Sequence, residues 1–229
     1  KFIEQEENFF RWGRLASQPR PWYWIPETFS RCNRNEFSQK KMMIEDKQLR
    51  LLAWAAIGHG VRGFSFFEYG ALGALTCDTN IGFVNSPALM AGIKQLNAEI
   101  KKLEPILSAA LPISAETIGN PETGLRVYTL WSGEEGIMII VRNLDYHPMS
   151  RGSNDLGDKP RFISKPKENV KIVIHKPSWL SVESIIDPID AAKAGVSYQL
   201  QGDIINLDLK RLDLVQVAWI QNVQPKAMF

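Results

Sequence analysis

The chain has 229 residues, 45% of them hydrophobic and 23% charged, enough for one or two ordinary globular cores and unlike a disordered segment. Lys and Arg number 27 against 25 Asp and Glu, and a net charge of +2 gives little electrostatic basis for binding a nucleic-acid duplex or an anionic membrane. The longest apolar run, Leu51 to Ile57, falls well short of the roughly 18 residues that a spanning helix needs, so no membrane span is expected.

Residues 2 to 16 set Phe2, Ile3, Phe9, Phe10 and Leu15 at spacings that predict a helix with one apolar face. Ser17 to Pro21 break it. Trp22-Tyr23-Trp24-Ile25, bounded by prolines, reads as a short buried strand ending near Glu27. After a polar loop, Ile44 to Ile57 carries Leu49, Leu52, Ala53, Ala56 and Ile57 at helical intervals and stops at Gly58. Gly63 to Tyr69 reads as a second buried strand. Ser86-Pro87 is a helix start, a capping residue before a proline. Leu89, Ile93, Leu96, Ile100 and Leu103 follow at helical spacing, and Pro105 is expected to end the run.

After Pro112 the texture changes to short β-rich segments separated by turn residues. The expected strands are Ile113 to Ile118, Leu125 to Trp131, Gly136 to Arg142, Val170 to His175, Val182 to Ile186, Tyr198 to Leu200, Ile204 to Leu209 and Leu214 to Ile220. Asp145 to Pro160, rich in Gly, Ser, Asn, Asp and Pro, reads as a long exposed loop. Trp131, Trp179 and Trp219 read as core or interdomain packing rather than as sugar platforms.

The two cysteines and three histidines lack the short spacings of a structural zinc site. A disulfide between Cys32 and Cys77 is geometrically possible but not implied. Gly58-His59-Gly60-Val61-Arg62-Gly63 matches the spacing of a dinucleotide-binding turn, but that turn must follow a strand and open a helix. Here a helix precedes and a strand follows, so the glycines serve a helix cap and a tight turn.

Strand, helix, strand, helix with right-handed crossovers makes the two strands parallel, and residues leaving their C-terminal ends share one side of the sheet. Glu27 and Glu68 are those residues. Trp22, Trp24 and Phe29 crowd the first and Phe67 and Tyr69 the second, and carboxylates beside aromatic rings suit a sugar. The bland alternative is that each glutamate is solvated or paired at a strand end, to Arg31 or Arg62. Asp78 and Asn80, in the glycine-rich loop after the second strand, are ligand contacts or turn residues.

Pro21-Trp22-Tyr23-Trp24-Ile25-Pro26-Glu27-Thr28-Phe29 and the run from Leu49 to Gly70 resemble strand seven through strand eight of glycoside hydrolase barrels in the β-galactosidase-like clan. Asn97-Ala98-Glu99-Ile100, continuing through Leu103 to Leu107, is similar to the final barrel helix, after which many such enzymes append a β-sandwich. The resemblance implies an α/β plus all-β chain: residues 1–112 as the last two βα units of a (β/α)8 barrel and 113–229 as an antiparallel β-sandwich. It carries the catalytic nucleophile over to Glu27 alone; the residues at the strand ends add Trp24, Glu68 and Tyr69 as expected contacts to a carbohydrate substrate, and no metal or cofactor is called for. The general acid belongs to strand four, absent from this chain. A closed barrel takes about 250 residues, so the acid is expected from a missing N-terminal barrel portion or a partner chain. A non-catalytic carbohydrate-binding or surface-structural protein on the same scaffold is the alternative, and a self-contained α/β plus β protein is a third. The first residue is Lys1, so any upstream address is invisible; localisation stays open, with an extracellular or periplasmic setting favoured.

Overall fold

The computed structural model describes residues 2–18, 20–26, 28, 31–32, 41–42, 44–67, 82–113, 124–147, 162–190 and 195–223. The first half runs as helix α1 (Phe2–Ser17), strands β1 (Trp22–Trp24), β2 (Arg31–Cys32) and β3 (Lys41–Met42), helix α2 (Asp46–Gly58), strand β4 (Val61–Phe64) and helix α3 (Pro87–Ala109). β1 and β4 pair in parallel, Tyr23 beside Gly63 and Trp24 beside Phe64. β2 and β3 form a small antiparallel ladder inside the stretch that the sequence marks as a polar loop. No helix among the described residues is long and apolar enough to cross a membrane.

α1 does not bury the face expected of it. Phe10 is buried, whereas Phe9, Trp12 and Leu15 are each more than half exposed. The inward stripe runs through Glu7, Phe10 and Gly13 instead. A side chain at Gly13 would strike the Trp22 ring, 2.6 Å from the position of its Cβ. A stripe mixing a carboxylate, a phenyl ring and a glycine is invisible to hydrophobic periodicity.

α2 is buried almost all round because it lies between two apolar layers. Leu49 and Ala53 join Phe83, Leu89, Ile93 and Leu96 on the α3 side. Leu51, Trp54 and Ala55 join Leu130, Met138, Ile140 and Val217 on the other. Glu99, in α3, ties the two helices: its carboxylate accepts from Arg50 Nε at 2.9 Å and from the Trp54 indole N–H at 3.2 Å. α3 starts as expected, the Ser86 hydroxyl accepting from the Leu89 N–H. It does not end at Pro105 but continues to Ala109. The missing N–H of Pro105 leaves the carbonyl of Lys101 on the exposed side, where water can serve it. Ile106 and Leu107, packed against the core, hold the final turn.

The second half contains β5 (Leu111–Pro112), β6 (Leu125–Trp131), β7 (Gly136–Asn143), β8 (Tyr146–His147), β9 (Ile163–Ser164), β10 (Lys167–His175), β11 (Val182–Ile186), β12 (Val196–Gln201), β13 (Ile204–Leu212) and β14 (Val215–Asn222). One antiparallel sheet has the order β11-β14-β7-β6-β5 and a second the order β10-β13-β12. β5 lies just before the strand expected at 113–118, which beyond Ile113 falls outside the described residues, as do residues 119–123. Tyr146–His147, expected inside a loop, pairs with Ile163–Ser164.

β7 is buried along its whole length, which marks the middle of three layers. Met138 and Ile140 face the α2 cluster. Ile137, Ile139 and Val141 pack with Val170, Ile172, Ile205 and Leu207 of the three-stranded sheet. In β10, at the edge of the structure, only alternate residues, Val170, Ile172 and Ile174, are buried. Gly58 closes the α2 layer against the middle sheet, with the Tyr128 ring 2.4 Å from where a Cβ would stand. Gly58→Ala should therefore cost about 1–3 kcal/mol by overpacking, although alanine normally favours a helix over glycine. Urea unfolding measures this, and an unchanged midpoint would mean that the Tyr128 ring yields.

Candidate functional site

The parallel course of the chain extends past both strands. The Ser65 N–H donates to the Trp24 carbonyl and the Phe67 N–H to the Pro26 carbonyl, each at 3.1 Å, and the Thr28 N–H donates to the Phe67 carbonyl. The Thr28 hydroxyl donates to that same carbonyl at 3.0 Å. Residues 22–28 and 61–67 thus leave the sheet side by side in one direction, as the sequence argument requires. Glu27, Glu68 and Tyr69 lie outside the described residues, as do Phe29, Cys77, Asp78 and Asn80.

The two faces of this pair differ. Trp24, the described member of the expected sugar contacts, is half-buried, its ring edge-to-face with Phe10 at 5.2 Å and with Phe64 at 5.9 Å. Phe66 continues the stack between Phe64 and Phe83. On the opposite face Tyr23, Ile25 and Phe67 are 66%, 59% and 52% exposed. Gly63 belongs to that face, since a Cβ there would meet the Tyr23 ring at 2.5 Å. Arg62 does not reach the strand ends; its guanidinium donates to the Leu107 carbonyl at 2.5 Å.

No family model matches the chain, and no curated protein matches it. Among solved structures, a glycoside hydrolase aligns with 96% of this chain and 47% of its own, at 10% identity and a TM-score of 0.50. A family 5 glycoside hydrolase from Bacteroides vulgatus aligns with 95% of this chain and 46% of its own, at 13% identity and a TM-score of 0.48. An α-L-fucosynthase from Thermotoga maritima aligns with 88% and 39%, at 14% identity and a TM-score of 0.45. The fold is glycoside hydrolase-like. The chain spans about half the length of the first of these structures.

A second polar constellation lies at the other end of β4, where sequence reasoning saw only a helix cap. Glu7 of α1 meets His59 Nε2 at 2.8 Å and accepts from Arg142 Nη1 at 2.7 Å and from the Tyr128 hydroxyl. Arg142, fully buried in β7, also donates to the hydroxyls of Tyr128 at 3.0 Å and Tyr146 at 3.3 Å. Burial alone would raise the Glu7 pKa, but the His59 hydrogen bond, the Arg142 charge and the Tyr128 hydroxyl outweigh it and bring it down to about 2. Burial, ahead of the Glu7 charge, pushes the Tyr128 phenol up, so it remains a proton donor. The sequence held one clue to this group, a carboxylate three residues before Phe10 on the inward stripe of α1.

With every partner enclosed, the group is suited to holding four elements together. A carboxylate lowered to about 2 from 4.5 supplies about 3 kcal/mol, present in full above pH 4.5 and lost as the pH falls towards 2. Glu7→Gln should cost about 3–5 kcal/mol at neutral pH, since it takes a charged partner from the buried Arg142. Urea unfolding at pH 7 and pH 3 checks both points: the wild type should lose more stability on acidification than the variant does.

Proposed function

We propose that residues 1–112 are the last two βα units of a (β/α)8-type barrel and 113–229 an antiparallel β-sandwich, in a protein that cleaves a glycosidic bond. The observation carrying this reading is the same-direction course of 22–28 and 61–67, hydrogen-bonded as far as Thr28 and Phe67. Ligands of such folds gather beyond the C-terminal strand ends, which is where Glu27 and Glu68 follow in sequence. Along β1 and beyond, Tyr23 and Ile25 are exposed while Pro26 and Thr28 are buried.

In this reading Glu27 attacks the anomeric carbon and forms a glycosyl-enzyme, which water then hydrolyses with retention. Trp24, Glu68 and Tyr69 shape the sugar subsite. The general acid comes from barrel strands outside this chain, contributed by an N-terminal portion or by a partner. Those strands would cover the open face and pair along the edge of β4 that no described strand occupies. A cavity of about 450 Å³ beside that edge, between β4 and α3 and lined by Val61, Phe64, Asn97 and Ile100, leaves room for a neighbouring unit. Parallel sheets are ordinarily covered on both faces, which supports the same conclusion.

Glu27→Gln in the complete protein should lower turnover of a glycoside substrate by about a thousandfold or more while sugar binding persists. A wild type that binds sugar without turnover would favour the non-catalytic carbohydrate-binding alternative. Ile25→Lys tests the covering of the open face. An exposed position tolerates such a change within about 0.5 kcal/mol, whereas a barrel interior would lose more than about 2 kcal/mol. A neutral result in the complete protein would refute barrel closure over this face.

A further inference from the structure

Of the three tryptophans expected in core or interdomain packing, two stand at the surface. Trp219 is buried, but Trp131 and Trp179 are 42% and 45% exposed. Their rings meet at the surface with centroids 6.2 Å apart and planes inclined at 61°. In such an edge-to-face pair, the ring that offers its edge keeps both faces uncovered by its partner, and the other ring keeps one. The pair walls a groove of about 480 Å³ whose remaining lining is Gly133, Glu134, Ser181, Asn222 and Val223.

The groove is built rather than incidental. Asn222 is buried; its side-chain oxygen accepts from the Ser181 N–H at 2.8 Å, and its amide donates to the Glu134 carbonyl at 2.9 Å. The Val223 N–H donates to the Ser181 carbonyl at 2.7 Å. One amide thus clamps the two walls of the groove to each other. Trp179 stands on a turn whose next residue, Leu180, is fully buried, with the Leu180 N–H bonded to the Pro177 carbonyl and the Leu180 carbonyl accepting from Lys176 Nζ. Gly133 has φ +62° and nothing within 4 Å of where a Cβ would stand, so that side lies open.

We propose that this groove is a saccharide-binding site separate from the strand ends, with Trp131 and Trp179 as the stacking platforms. The lining decides the class of ligand. Val223 is the one aliphatic side chain among the described lining residues, so the apolar surface there is almost wholly the two indoles. Paired indoles beside Glu134, Ser181 and Asn222 offer flat apolar plates next to hydrogen-bonding residues, as the C–H faces and hydroxyls of a sugar ring require. The site needs no catalytic carboxylate and does not rest on the reading of Glu27.

The test is affinity electrophoresis of the whole protein through gels containing a galactan, a xylan, a glucan or a mannan. Wild type and Glu27→Gln should be retarded alike in at least one gel, and Trp131→Ala/Trp179→Ala should bind that polymer at least about tenfold more weakly. Trp179→Tyr should retain most of the retardation, and unchanged urea midpoints would show that the variants fold. Absence of retardation in all four gels, or retardation that survives the double substitution, would overturn the proposal. So would self-association of the wild type, seen by sedimentation and abolished in the double variant without any sugar effect, which would make the groove a protein interface.

Discussion

Glu7 is the point through which the halves of this molecule are registered on each other. Its carboxylate binds His59 from the turn between α2 and β4, Tyr128 from β6 and Arg142 from β7. Around it the core is apolar, with Phe10, Trp54, Leu130 and Met138 in one cluster. A charge in such surroundings is tolerated only when its oxygens are occupied, and these partners allow one rotation and one height of α1. Phe10, one turn on, then meets Trp24 edge-on and stacks on His59 at 6.0 Å. The placement of β1 beside β4, and with it the direction in which the chain leaves the sheet towards residue 27, follows from where α1 is pinned.

The same node explains why the change of texture near residue 112 is a boundary in sequence and not in packing. One apolar cluster draws Trp54, Ala55 and Leu103 from the helices and Tyr128, Met138, Ile140 and Val217 from the five-stranded sheet. β7 is apolar on both faces because it has a helix layer on one side and a second sheet on the other. Gly58 and Gly13 let rings approach where any side chain would hold the layers apart. Rigidity at the helix–sheet junction is thereby transmitted to the opposite end of β1 and β4, where the chemistry is proposed.

Residues that obey a single local rule were readable. Leu125 to Trp131 and Val182 to Ile186 are strands with the expected bounds, set off by turn residues on either side. The parallel pair followed from element order alone, and the glycine-rich turn leads from α2 into β4, the order in which the sequence sets it. Local rules fail where tertiary partners decide. The lost hydrogen bond of Pro105 predicts a helix end, but the packing of Ile106 and Leu107 carries α3 on to Ala109. Periodicity turns Phe9 and Leu15 inward, whereas the Glu7 carboxylate and its partners occupy the inward side of α1. Average tryptophan behaviour puts Trp131 and Trp179 in core or interdomain packing and says nothing of a turn that holds an indole at the surface. The strand-end carboxylates are readable only as positions that follow a described parallel ladder.

The asymmetry of that ladder ties fold to chemistry. On the helix side, Trp24, Phe64 and Phe66 fill the space completely enough to fix both strands; on the other, Tyr23, Ile25 and Phe67 meet solvent. A carboxylate that must attack an anomeric carbon needs its partner acid about 5–5.5 Å away and water kept from its flanks. Neither demand can be met from an open two-stranded face. If the face stays open, any affinity of the molecule for sugar has to come from surfaces such as the paired indoles. If further strands close over Tyr23 and Ile25, the same residues become the floor of a barrel and the strand ends become its mouth. The distinction between a binder and a hydrolase therefore turns on what covers these side chains, more than on the identity of any one carboxylate.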